Sequence, residues 1–194
     1  PVEGIGCVKN KFNFMTLQDA LSLEKILSKR KNVLIIGAGL IGLKCLEGIL
    51  ERVKSVSVVD MAGRILPSIL DDAGAAVVRR ELEGKGAKFY LSDSVAKFEG
   101  NTAHLKSGKE IPFDILVVAV GVRPNTELVK DAGGEVSRGV VTDEKQQTSL
   151  QNVYAAGDCA ESFDISAGIN RVLALLPNAY MQGETAGKNM ADHI

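Results

Sequence analysis

Short apolar runs alternate with amphipathic stretches through the first half of this chain. Asn32–Ile36 and Ser55–Val59 are rich in Val and Ile, and each is too short for a helix, so both predict strands. Residues 40–53 between them carry a helical pattern. Leu66-Pro67 breaks the chain, Asp71 or Asp72 can cap a helix running through Glu83, and Gly84 and Gly86 end it. Lys88–Leu91 predicts the next strand. The order β-α-β-α-β is half of a doubly wound parallel sheet.

The periodicity then shortens. Val95–Glu99 and Thr102–Lys106 flank Gly100-Asn101, a hairpin signal, and Ser107–Glu110 turns again before Ile111. A β-meander therefore stands where a further crossover helix would be expected. Asp114–Val120 is an unbroken apolar run, as in a strand buried on both faces. A short helix is expected over 126–131 and a short strand over 139–142. Beyond them the pattern predicts a strand at Val153–Ala156, a loop containing Gly168 and a long helix over about 177–192. At the other end, Thr16 is the expected N-cap of a helix reaching about Lys29. The reading is α/β: a Rossmann-like three-layer dinucleotide-binding domain with a β-meander, plus flanking pieces of a second domain. Residues 1–30 form a lead-in, 31–145 the dinucleotide-binding domain and 146–194 a separate unit.

The turn between the first strand and helix carries the chemistry. Gly37-Ala38-Gly39-Leu40-Ile41-Gly42 is a G-x-G-x-x-G set between a strand and a helix. Gly37 permits a tight turn, Gly39 lets a pyrophosphate approach the backbone, and Gly42 lets the helix pack closely on the sheet. The helix N-terminus offers unpaired N–H groups and a positive dipole end to phosphate. Asp60 ends the next strand, 21 residues after Gly39, where a carboxylate can accept from ribose hydroxyls and repel a 2′-phosphate. NAD is therefore expected over NADP, with Arg64 the nearest cation that could reverse the preference. Gly121 ends a strand beside the crevice where open α/β sheets place ligands.

Composition narrows the alternatives. With 45% hydrophobic and 24% charged residues, the 194-residue chain has the make-up of a globular protein. A net charge of −1 supplies no field for nucleic acid or an anionic membrane, and the apolar stretch after Val33 is interrupted by Lys44 and Glu47. Three cysteines, Cys7, Cys45 and Cys159, without C-x-x-C spacing argue against a disulfide framework, a zinc site or a local redox pair. His104 and His193 read as surface residues without partners. A chain opening on Pro1 without a signal-peptide pattern suggests a piece of a cytoplasmic protein.

Two further motifs, Ala119-Val120-Gly121-Val122-Arg123-Pro124-Asn125 and Val153-Tyr154-Ala155-Ala156-Gly157-Asp158, join the glycine loop and the Val58–Pro67 segment. Together they resemble the FAD-dependent pyridine nucleotide–disulfide oxidoreductases, the group of NADH oxidases, coenzyme A disulfide reductases, rubredoxin and ferredoxin reductases and the nitrite reductase large subunit. The resemblance implies that NAD and FAD are the cofactors. It places Gly37, Gly39, Leu40, Ile41, Gly42, Asp60, Met61, Arg64 and Gly121 at NAD, and Gly157 and Asp158 at the FAD ribityl chain. No side chain here is expected to act as catalytic acid or base. The resemblance further implies that 1–30 and 146–194 belong to the FAD domain, and that the chain is the central part of a longer enzyme. That enzyme would pass hydride from NADH to FAD and on to an unidentified acceptor, and a C-terminal domain outside this chain could make a homodimer. By itself the piece should bind NADH weakly and catalyse little. Relatives often carry Glu where this chain has Lys44. The rival readings are a stand-alone nucleotide-sensing module, an NADP enzyme using Arg64, and a fold that has lost its ligand.

Overall fold

The computed structural model describes residues 2–191. It divides after Gly121 into two compact units. The expected boundary near residue 145 falls inside the second unit, where a strand at 140–141 pairs with one that begins at Ala160.

The first unit contains β1 (Lys11–Asn13), α1 (Leu17–Glu24), β2 (Asn32–Ile36), α2 (Leu40–Ile49), β3 (Ser55–Val59), α3 (Asp72–Gly84), β4 (Ala87–Tyr90), β5 (Val95–Glu99), β6 (Thr102–Leu105), β7 (Glu110–Pro112) and β8 (Ile115–Val118). Five of these strands form a parallel sheet in the order β1-β8-β2-β3-β4. The lead-in is thus part of the sheet, because Lys11–Asn13 pairs with Leu116–Val118 at the edge. From β2 the chain crosses through α2 to β3 on one side, whereas β8 lies on the other. The reversal places a crevice beyond the C-terminal end of β2, where ligands of open α/β sheets sit.

The alternation of side chains along the central strands builds two cores. Val33, Ile35, Val56, Val58, Ile115 and Val117 pack with Leu43, Leu46 and Ile49 of α2 and Ala75 of α3. Leu34, Val59 and Leu116 point the other way, onto Val95, Phe98, Ala103, Leu105, Ile111 and Phe113 of the meander and its exit. The rings of Phe98 and Phe113 meet edge to face, with centroids 5.7 Å apart. Helices on one face and an antiparallel meander, β5-β6-β7, on the other make the three layers. Burial on both faces is why Val33–Ile36 of β2 and all of β8 read as continuous apolar runs rather than alternating ones.

Element ends follow local chemistry. Thr16 caps α1 through a capping box with Asp19. Backbone bonds from Thr16, then Met15, hold the Asp19 carboxyl below the usual aspartate range. This helix ends at Glu24, short of the expected Lys29, as its last amides switch to tighter bonds, Ile26 to Leu23 and Leu27 to Glu24. Likewise α2 gives way to a 3₁₀ turn at Leu50–Arg52. Asp71 is the N-cap of α3, accepting from the Gly74 amide at 2.8 Å.

The second unit contains α4 (Glu127–Asp131), β9 (Val140–Val141), β10 (Ala160–Asp164), β11 (Ile169–Arg171) and α5 (Leu176–Met190). The strand expected at Val153–Ala156 is absent, and only one isolated bridge, Tyr154 to Gln147, forms there. The sheet runs instead through β10, parallel to β9 and antiparallel to β11. Polar residues conceal β10 in the sequence. Buried Glu161 accepts from the amides of Arg138 and Gly139, both at 2.8 Å, so its carboxylate is satisfied across the sheet rather than by solvent. The C-terminal helix has Pro177 in its first turn, as expected. Among the described residues no helix is long and apolar enough to cross a membrane.

Candidate functional site

The glycine loop occupies the turn from β2 into α2, and each glycine meets a different constraint. Gly37 has φ +109°, and a Cβ there would lie 2.2 Å from the Ala119 carbonyl oxygen. A Cβ on Gly42 would lie 2.0 Å from the Gly37 carbonyl oxygen, so the first turn of α2 sits directly on the loop. Gly39 is different: its backbone is extended, and a Cβ would meet nothing within 4 Å. The open side of the loop is therefore at Gly39.

Gly39 is also the N-cap of α2, with no side-chain cap and no acidic residue in the first turn. The ladder starts with the Leu43 amide on the Gly39 carbonyl at 3.0 Å, which leaves the amides of Leu40, Ile41 and Gly42 ahead of it. Exposed Leu40 and half-buried Ile41 flank this end. A helix N-terminus without a competing anion, next to an open backbone, is suited to a phosphate.

Asp60 follows β3 and reaches back to this loop. Its Oδ2 accepts from the Ala38 amide at 2.6 Å and its Oδ1 from the Ala62 amide at 2.7 Å. An ionised carboxylate offers about four lone-pair sites, so each oxygen keeps one for a further donor. Met61 beside it is largely exposed. Arg64 turns elsewhere: its guanidinium donates to the carbonyls of Leu70 and Pro67 and to Asp72 at 3.1–3.2 Å. Gly121, with φ +97°, lies just past β8 at the same end of the sheet. Lys44 is exposed and pairs with Glu47 at 2.8 Å.

Gly157 and Asp158 lie in the second unit, in a single 3₁₀ turn before β10. Gly157 has φ +77°, its amide donates to Gln182 Oε1 of α5 at 2.8 Å, and Asp158 is exposed. Gln182 drew no notice in the sequence, since nothing in its local spacing points across 25 residues to this turn.

His104 does have partners: its ring nitrogens lie 3.2 Å from Glu99 and from Glu110, because β6 runs between β5 and β7. His193 lies outside the described residues. Cys45 is fully buried in α2, and burial pushes its thiol up to about 12, whereas Cys7 is exposed. A chromogenic disulfide reagent should accordingly modify Cys7 in the native protein and reach Cys45 only on unfolding. Equal rates at the two thiols would contradict this burial.

Comparison with known proteins shows the family. The family model for pyridine nucleotide–disulphide oxidoreductases matches residues 1–183, and the chain belongs to that family. It is 37% identical to an NADH oxidase of Methanocaldococcus jannaschii, over 98% of this chain and 44% of the relative. It is 31% identical to a rubredoxin–NAD(+) reductase of Pseudomonas putida, over 90% of this chain and 47% of the relative. The crystal structure of reduced CoADR-RHD from Bacillus anthracis superposes with a TM-score of 0.91 at 30% identity, over 99% of this chain and 35% of that one. The chain thus spans less than half the length of these relatives.

Proposed function

We propose that the first unit is the NADH-binding part of a longer FAD-dependent oxidoreductase. The observation that carries the reading is the convergence, at the C-terminal ends of β2 and β3, of an open Gly39, an uncapped α2 N-terminus and the Asp60 carboxylate. These groups fit the parts of a dinucleotide in order. The backbone at Gly39 and the α2 amides bind pyrophosphate, and Asp60 accepts from the adenosine ribose. NAD is favoured over NADP on two counts: Asp60 is negative where a 2′-phosphate would lie, and the Arg64 guanidinium is already held by the 67–72 segment.

In the second unit the Gly157-Asp158 turn suits the polyol chain of FAD. The exposed carboxylate of Asp158 can accept from hydroxyls, and Gln182 fixes the amide that precedes it. When both are bound, NADH supplies a hydride and FAD accepts it, and the protein contributes binding and orientation. The electron acceptor lies downstream of the flavin and is chosen by the longer protein. NADH oxidase, rubredoxin–NAD(+) reductase, nitrite reductase and NAD(P)H sulfur oxidoreductase are among the activities named in relatives.

Calorimetric titration of the chain with NADH and NADPH tests the reading. NADH should bind and NADPH should bind more weakly. Tighter binding of NADPH, or no heat from either at millimolar nucleotide, would overturn it.

A further inference from the structure

Two residues of the first unit other than glycine hold a left-handed backbone: Leu66 with φ +49° and Ser92 with φ +54°. L-residues resist this region because Cβ crowds the following carbonyl, and Leu66 also precedes Pro67, which narrows its backbone further. Such conformations persist where surrounding bonds over-determine them. Both residues spend their amides on one device. Leu66 donates to the carbonyl of Ala38, and Ser92 to the carbonyl of Ala62, each at 2.9 Å. Those same two alanines donate their own amides to the two oxygens of Asp60. Each alanine is therefore held at both its N–H and its C=O, and the carboxylate is gripped on both sides. Two more backbone bonds bind this strand end to β4 and the turn after it: Asp60 N to Tyr90 O at 3.0 Å and Asp93 N to Asp60 O at 3.1 Å.

We infer that Leu66 and Ser92 are positioning residues that hold the Asp60 carboxylate in one orientation for a vicinal diol. The inference rests on reading this site as a nucleotide site and specifies how it selects the sugar. With one lone pair of each oxygen filled by an alanine amide, one remains on each oxygen to accept from a ligand. Adjacent hydroxyls on a ribose engage both, and a 2′-deoxyribose can engage only one. The orientation is set before ligand arrives, so the loop ordering that would otherwise weaken binding is already complete.

Ser92 is the residue to change, because its side chain is exposed and the strain lies in the backbone. Valine disfavours positive φ strongly, whereas glycine adopts it freely. The chain and its Ser92→Val and Ser92→Gly variants are titrated with NADH, and with ADP and 2′-deoxy-ADP as a matched pair. Ser92→Val should weaken NADH by about five- to tenfold, the equivalent of most of one charge-assisted hydrogen bond. It should also bring the ADP to 2′-deoxy-ADP affinity ratio towards one. Ser92→Gly should restore both to within about twofold of the parent, since glycine keeps the conformation and the donor. A purely structural role would lower both nucleotides equally, so an unchanged ratio in Ser92→Val overturns the inference, as does unchanged NADH affinity. Failure of the nucleotide reading is distinguishable, because the unsubstituted chain would then bind neither NADH nor ADP, and both conclusions would fall.

Discussion

Asp60→Ala should weaken NADH binding by roughly ten- to a hundredfold while leaving NADPH unchanged or slightly improved. Hydrogen bonds to a charged group contribute about 1.5–3 kcal/mol, and each 1.4 kcal/mol is tenfold in affinity. The loss has two sources. The ribose hydroxyls lose their acceptor, and the amides of Ala38 and Ala62 lose theirs at 2.6 and 2.7 Å, which frees the glycine loop as well. NADPH escapes the same loss because the substitution also removes a negative charge from the position of its 2′-phosphate. Parallel calorimetric titrations measure both. Equal NADH affinity in parent and variant would mean that neither a ribose contact nor the bracing of the loop by Asp60 contributes to binding.

The glycines should separate folding from binding. Gly42→Ala places a Cβ 2.0 Å from the Gly37 carbonyl oxygen, and Gly37→Ala places one 2.2 Å from that of Ala119. Both clashes are with backbone, so α2 or β8 must move. Gly37→Ala also forces an L-residue to φ +109°. Overpacking of this kind costs about 1–3 kcal/mol, and a unit of this size should melt about 3–15 °C lower. At Gly39 the outcome reverses. The added methyl meets nothing within 4 Å and the backbone is already extended, so Gly39→Ala should melt close to the parent. The methyl would nonetheless stand where pyrophosphate approaches, and NADH affinity should fall by about tenfold, the size of one lost phosphate-to-amide contact. Thermal melts and nucleotide titrations on the three variants decide the matter. A Gly39→Ala variant that melts like Gly42→Ala, or that binds NADH like the parent, would remove Gly39 from the pyrophosphate site.

The elements legible beforehand are those whose signal is local. Asn32–Ile36 and Ser55–Val59 are strands with the bounds that their apolar runs predict. Thr16 and Asp71 cap the helices expected of them, and Gly100-Asn101 makes its hairpin. In the second unit α4, β9 and α5 are where they were expected, and the same reasoning failed at one strand. The apolar Val153–Ala156 is not a strand, because a strand requires consecutive pairs and a single bridge, Tyr154 to Gln147, forms there. The polar Ala160–Asp164 is a strand, since Glu161 finds two backbone donors across the sheet. His104 read as unpartnered for a related reason: its carboxylate neighbours come from two other strands.

By itself the sequence determined the class of the fold, the glycine loop and the acid placed to face it, because turn geometry, helix caps and strand burial are written in residues close together along the chain. Tertiary structure alone decided how Asp60 is held, that Arg64 is occupied by the 67–72 segment, and that Leu66 and Ser92 adopt a backbone their side chains disfavour. Each of these depends on a hydrogen-bond partner carried by another element or loop. A residue's local pattern states what it can donate or accept, and only the packed chain determines which group it meets.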